Sequence, residues 1–260
     1  MASSMINVSN LTDSFKDFNT ALPFSHCVID NFLKTSFAAQ VATEFPSIDS
    51  DTFNGKYNNA IELKYTCNIW DKFPENTYKL LSYLNSLEFT TLISTLTRCE
   101  NLHADIGLHG GGWHTHPPGG KLNPHLDYNI HPKLGLQRKF NLLIYLTPDW
   151  NEIYGGDFGL WNSDASEIVK TISPLYNRAI FFDTTQDSWH GLATEVSCPI
   201  RTSRNSIAVY YLVDPPKNTS QRKRALFAPT TDQQNNEEVI KLIKRRSEVS
   251  GLTVSDWERT

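Results

Sequence analysis

Between residues 101 and 213 the chain is cut into short apolar runs, and this constrains its fold more than any other feature. The runs are Phe140 to Leu146, Phe158 to Trp161, Ala179 to Phe182 and Ser206 to Val213. Turn-forming clusters such as Gly110 to Gly112 and Pro117 to Gly120 punctuate the same region. Runs of about four to eight residues bounded by Gly, Pro, Asn and Asp suit strands and are too short for helices. Their spacing predicts an antiparallel sandwich or jelly roll. Within 260 residues, 14 Phe, 10 Tyr and 6 Trp supply an interior for one large domain.

The flanks have a different texture. Phe24 to Phe32 alternates like a strand, Leu33 to Phe45 carries apolar residues at helical spacing, and Pro46 stops it. Residues 47 to 72 read as irregular, whereas Tyr78 to Leu96 suits helices. A last helix is expected from Gln234 to about Ser247. The fold class expected is mainly β with flanking helices, an α+β arrangement. It forms a single domain over 1–260, with N-terminal α/β support at about 20–100, a jelly-roll core at about 101–214 and a helical extension at 215–260.

A net charge of −4 gives no global attraction to nucleic acid or anionic lipid, so neither is expected as a partner. The first twenty residues lack a signal-peptide pattern, and no window approaches the ~20 apolar residues of a membrane span. A cytoplasmic location is expected. Cys27, Cys67, Cys99 and Cys198 form no CxxC pair and read as inert thiols. Sequons at Asn7, Asn10 and Asn218 carry little weight without a secretory signal.

Chemistry concentrates at His125, Asp127 and His190. Residues at i and i+2 on extended backbone point the same way, so His125 and Asp127 can both face a barrel interior, and a distant His190 can close the set. Two imidazoles and one carboxylate leave open positions on a bound iron ion, as in non-haem Fe(II) oxygenases. Fourteen residues beyond His190, Arg204 begins a strand on which Ser206, Ala208 and Tyr210 share its face. A buried inward arginine requires an anionic partner, and the far carboxylate of 2-oxoglutarate fits a guanidinium fork with a neighbouring hydroxyl.

In order, HLD, GGDFGLW, FFDTTQDSWHG and RNSIAVYYL resemble the core motifs of the 2-oxoglutarate/Fe(II) oxygenase superfamily. The opening PFSHCVIDNFL, with EFP after it, resembles the prolyl-hydroxylase-like branch. Together they cover about residues 22 to 213. The resemblance implies a double-stranded β-helix of cupin-like jelly-roll type, with His125, Asp127 and His190 as metal ligands. It also implies Arg204 as 2-oxoglutarate anchor, with Arg201 as the rival. Asn141 and Tyr145, at even spacing on the strand before, are further candidates to contact 2-oxoglutarate. Collagen-type members use a lysine for that carboxylate, whereas this chain offers arginines. The cofactors implied are Fe(II), 2-oxoglutarate and O2, with ascorbate as auxiliary reductant. Asp127 favours hydroxylation over halogenation, because halogenating members lack the carboxylate.

Three functions compete. The first hydroxylates a peptidyl residue, with proline suggested by the opening segment, and releases succinate and CO2. The second applies the same chemistry to a small metabolite, an amino acid, sugar or nucleotide derivative. The third is a non-catalytic cupin-like metal-binding module. His109, His114 and His116 are expected to line the pocket or orient ligands rather than hold a second metal. Trp113, Trp150, Trp161 and Trp189 are expected to fill core or rim. Gly155-Gly156-Asp157 reads as a hairpin turn, and the basic runs Arg222 to Arg224 and Lys244 to Arg246 read as solvated.

Overall fold

The computed structural model describes residues 5–184 and 187–248, and these form two antiparallel sheets. Across the larger sheet run β1 (His26–Ile29), β11 (Ala179–Asp183), β8 (Gln137–Tyr145), β13 (Arg204–Val213), β5 (Gly112–His116), β3 (Glu62–Cys67) and β2 (Gly55–Asn58). Beside β13 and β3 lie β4 (His103–Ala104) and β6 (Lys121–Leu122). The smaller sheet runs β10 (Ile168–Ile172), β9 (Phe158–Trp161), β12 (His190–Leu192), β7 (His125–Leu126) and β14 (Leu226–Phe227). From β7 to β13 the chain passes back and forth between the sheets, which is the winding of a double-stranded β-helix.

Alternation along each strand separates two environments. On β13, Ile207, Val209 and Tyr211 point to the outer face of the larger sheet, where they join Phe140, Leu142 and Phe181. Helices α1 (Val8–Ser14), α2 (Thr35–Thr43), α3 (Glu75–Leu84) and α4 (Leu87–Thr97) cover that face with Leu11, Val41, Leu84 and Phe89. Tyr211 donates its hydroxyl to the Leu84 carbonyl at 3.0 Å, so its polar end is satisfied inside the layer. Truncating a fully buried ring such as Phe181 would cost about 3–5 kcal/mol. Between the sheets, Phe158, Leu160, Ile172, Ile180 and Phe182 fill one end, and the other end is open.

Three expectations need correction. Residues 47 to 72 are not irregular throughout, because β2 and β3 form a hairpin. Asn59 closes it: its Oδ1 accepts from the Ile61 and Glu62 amides at 3.0 and 3.1 Å, a side-chain turn that replaces a glycine signal. Helix α5 (Glu237–Ser247) starts three residues later than expected, because the Asn236 side chain caps it through the Glu238 and Val239 amides. The Gly155–Gly156 turn is no hairpin. It carries the chain from β8 in one sheet to β9 in the other, with both glycines at positive φ.

Strand β8 contains a bulge. Tyr211 pairs with Phe140 but Leu212 pairs with Arg138, so Lys139 is the extra residue. Strict alternation would put Lys139 on the inner face beside Asn141 and send Arg138 outward. The bulge reverses this and turns Arg138 into the opening between the sheets. No helix among the described residues is long and apolar enough to cross a membrane.

Candidate active site

The opening between the sheets is a cavity of about 400 Å³. His125 on β7 and His190 on β12 are direct cross-strand partners, and Asp127 follows immediately after β7. The Nε2 atoms of His125 and His190 each lie 3.8 Å from an Asp127 carboxylate oxygen. One ligand atom from each of the three falls within 4.8 Å of the others, and this is the only such metal-competent group among the described residues. His109, His114 and His116 line the cavity without forming a second one.

Backbone carbonyls set the imidazole tautomers. His125 Nδ1 lies 3.0 Å from the Asn123 oxygen, and His190 Nδ1 lies 2.8 Å from that of Ser188. Each Nδ1–H is donated there, which leaves Nε2 with its lone pair toward Asp127. Burial, then the neighbouring His190, pushes His125 down to about 3, and burial likewise lowers His190, so both are neutral donors at pH 7. Burial pushes the Asp127 carboxyl upward, but Arg138 foremost among its charged neighbours outweighs this and holds it at about 2. Two neutral nitrogens and one carboxylate, buried and pre-oriented, fit a ferrous ion.

Arg138 is the residue that sequence reasoning missed. Its Nη1 lies 3.2 Å from Asp127 Oδ2, and its Nη2 donates to the His109 carbonyl at 2.8 Å. The guanidinium is clamped between the rings of Tyr128 and Tyr210, 3.5 and 3.4 Å from their centroids. A cation so held fixes the orientation of the carboxylate.

Arg204 is buried on β13 beside Tyr145, with its Cζ 4.6 Å from the ring centroid. Its Nε and Nη2 have no hydrogen-bond partner among the described residues, and burial pushes the guanidinium below its usual value. Ser206 lies on the same face, paired with His114 on one side and Tyr145 on the other. Asn141, also facing the cavity, has an unpartnered Oδ1 among the described residues. Buried polar groups without partners mark a place for a polar ligand, and a dicarboxylate suits a guanidinium with a hydroxyl and an amide beside it. Gly156 backs this corner, since a Cβ there would stand 2.9 Å from Arg204 Cδ. Arg201 lies outside the cavity, exposed in the turn before β13.

The basic runs are not simply solvated. Arg222 Nη1 donates to the carbonyls of Leu126, Asp127 and Arg224, which straps the segment after β13 to the ligand strand. Phe227 on β14 pairs with His125 and stacks on its imidazole at 5.2 Å and 24°. Arg246 of α5 is buried and bonded to Glu62 of β3. These contacts depend on tertiary pairing between distant segments, which no local pattern announces. Trp113 is buried in the core, while Trp189 donates its indole N–H to the Ser163 carbonyl at 3.1 Å.

Residues 111–212 match the 2OG-Fe(II) oxygenase superfamily. The chain is 26% identical over 205 residues to the prolyl 3-hydroxylase OGFOD1 of Mus musculus and 24% identical over 183 residues to that of Xenopus laevis. These alignments cover 73% and 68% of this chain but 33% of each relative, so the chain spans about a third of the length of the curated relatives it matches. Among solved structures, the Trichoplax adhaerens prolyl hydroxylase in complex with a hypoxia inducible factor peptide superposes with a TM-score of 0.54 at 22% identity. That match covers 78% of this chain and 89% of that one. A Pseudomonas putida prolyl-4-hydroxylase gives 0.57 at 17% identity over 78% and 98%. Residues 111–212 of this chain are thus similar to the 2-oxoglutarate/Fe(II) oxygenase superfamily, and the fold is similar to that of prolyl hydroxylases.

Proposed function

We propose that this chain is an Fe(II)- and 2-oxoglutarate-dependent dioxygenase that hydroxylates a C–H bond of a peptidyl residue, proline first among the candidates. The observation that carries this reading is one cavity holding both a His125–Asp127–His190 cluster and Arg204, whose buried Nε and Nη2 have no hydrogen-bond partner among the described residues. A structural metal site has no use for the second element. The prolyl hydroxylases among its relatives support a peptidyl substrate.

In this reading His125, Asp127 and His190 hold the metal, and Arg204 with Ser206 receives the distal carboxylate of 2-oxoglutarate, while Asn141 and Tyr145 face its body. Ferrous iron, when bound, supplies the redox chemistry that couples O2 and 2-oxoglutarate to one hydroxylated carbon, succinate and CO2. The protein supplies geometry. Arg138 fixes the Asp127 carboxylate, the Asn123 and Ser188 carbonyls fix the two imidazoles, and Leu143, Phe158 and Leu192 line the cavity with apolar surface that limits water.

Anaerobic titration with Fe(II) and 2-oxoglutarate tests the proposal. A weak visible charge-transfer band is expected in the wild type and not in His125→Ala. A wild type without the band, which also releases no succinate, would sink it.

A further inference from the structure

Strand β5 presents His114 and His116 to the cavity and turns the alternate residues away from it. Trp113 enters the core on the outer face, and Thr115 donates its hydroxyl to the Asn205 side chain at 3.0 Å, on the face of β13 opposite Arg204 and Ser206. Register then fixes the neighbours. His116 is the direct cross-strand partner of Arg204, and His114 is that of Ser206. Residues paired in this way hold their Cβ atoms about 5 Å apart, so two imidazoles, a guanidinium and a hydroxyl share one corner of the cavity.

The two histidines differ in what already engages them. His114 Nε2 lies 3.0 Å from the Gly110 carbonyl, which accepts its proton. His116 is 2% exposed, and both of its ring nitrogens are buried with no hydrogen-bond partner among the described residues. It stands outside the metal-competent group as well. Burial first, and then the adjacent Arg204, hold His116 well below the usual histidine value, so at pH 7 its ring is neutral and carries one N–H. Packing rather than hydrogen bonding keeps it in place. Gly120 lies against it, where a Cβ would stand 2.7 Å from His116 Cβ. This turn is tied down at both ends, since the Gly120 amide donates to the Pro117 carbonyl at 2.8 Å and its carbonyl accepts from the Val196 amide at 2.9 Å.

An imidazole that is buried, held and unbonded costs stability unless something enters to receive its proton. Arg204 is not that acceptor. A guanidinium only donates, and its own Nε and Nη2 also have no partner among the described residues. Two donors on neighbouring strands thus face the same space, and a carboxylate has two oxygens with which to accept from both.

We propose that His116 is a second hydrogen-bond donor for the far carboxylate of 2-oxoglutarate, acting beside Arg204 from the adjoining strand. This rests on the dioxygenase reading. The imidazole adds a directed bond at that end of the co-substrate without adding a further cation.

The test is calorimetric titration of the Mn(II)-loaded protein with 2-oxoglutarate under nitrogen. It compares the wild type with His116→Phe, which keeps a flat ring but no N–H, and with His116→Gln, which keeps an N–H. His116→Phe should bind 2-oxoglutarate at least about tenfold more weakly and His116→Gln within about threefold of the wild type, while both bind Mn(II) as the wild type does. A second readout uses Zn(II)-loaded protein with isotope-labelled histidine nitrogens, in which the ring signal missing from His116→Gln should sharpen and move downfield when 2-oxoglutarate is added. If His116→Phe does not fold, His116→Gln and this signal decide. Wild-type affinity in His116→Phe, or a His116 signal indifferent to 2-oxoglutarate that the wild type binds, overturns the inference and leaves the dioxygenase reading standing. Loss of Mn(II) along with 2-oxoglutarate in His116→Phe, with no response of the signal, also overturns it, because His116 then only supports the fold. A wild type that takes up no 2-oxoglutarate overturns both.

Discussion

Replacing Arg204 by Met should produce two effects of opposite sign. The guanidinium is buried, and its Nε and Nη2 lack hydrogen-bond partners among the described residues. If it anchors 2-oxoglutarate, the variant loses two charge-assisted hydrogen bonds worth about 1.5–3 kcal/mol each, which weakens 2-oxoglutarate about 10²- to 10⁴-fold. In the ligand-free protein the same change removes a buried cation two of whose donors are unsatisfied among the described residues. Each unsatisfied group costs about 1–3 kcal/mol, against about 2 kcal/mol returned by the contact with Tyr145. For the two groups together the expected net gain is about 2 kcal/mol within a range of about 0–4 kcal/mol, and at about 2–4 °C per kcal/mol the ligand-free melting temperature should rise by a few degrees. Calorimetric titration of the Mn(II)-loaded protein with 2-oxoglutarate, beside thermal melts without ligand, measures both. An Arg204→Met protein that binds 2-oxoglutarate like the wild type, or an Arg201→Met protein that loses more, would refute the assignment. A lower melting temperature for ligand-free Arg204→Met would refute the reasoning about the unsatisfied donors.

Gly156→Val should displace Arg204, because a Cβ stands 2.9 Å from its Cδ and φ is +69°; 2-oxoglutarate affinity should drop at least about tenfold while Mn(II) still binds, and retained affinity would show that the corner yields freely. Arg138→Met leaves Asp127 buried without its cation and should destabilise the metal-free protein by about 3–5 kcal/mol in urea, a loss under about 1 kcal/mol being incompatible with the ion pair described. Burial lowers His114 to about 3 and His109 to about 4, so the unfolded chain takes up these protons first. The contribution of these histidines is complete above their unfolded value near 6.5 and is lost as pH falls through the folded values. The His114 share is up to about 1.4 kcal/mol per pH unit. Urea midpoints between pH 7.5 and 4.5 should fall less steeply in His114→Gln, and an unchanged slope counts against a buried neutral imidazole.

Much of this site was legible because its residues follow strand periodicity. His125 and Asp127 at i and i+2, and Arg204 with Ser206 two further on, obey the alternation that governs a half-buried strand, and the structure gathers them on one cavity. Arg138 breaks that rule, since the bulge at Lys139 changes the phase of its strand by one residue. The hairpin at residues 55–67 was obscured because Asn59 turns it through a side chain, in a stretch where Asn and Asp otherwise signal loops. Arg222 and Arg246 looked like ordinary surface charges, because what they bond to is chain far away in sequence: Leu126, Asp127 and Glu62.

The pairing of β14 with β7 also bears on how the protein is made. A ribosome delivers all three candidate ligands and every strand from β1 to β13 before it delivers Leu226 and Phe227. Until then β7, which carries His125, is an open edge of the smaller sheet, with unpaired amides and carbonyls beside the cavity. A nascent or truncated chain that stops near residue 213 would thus present the strand that carries His125 as a template for intermolecular pairing. Final assembly of the site waits on a segment that the core motifs do not include.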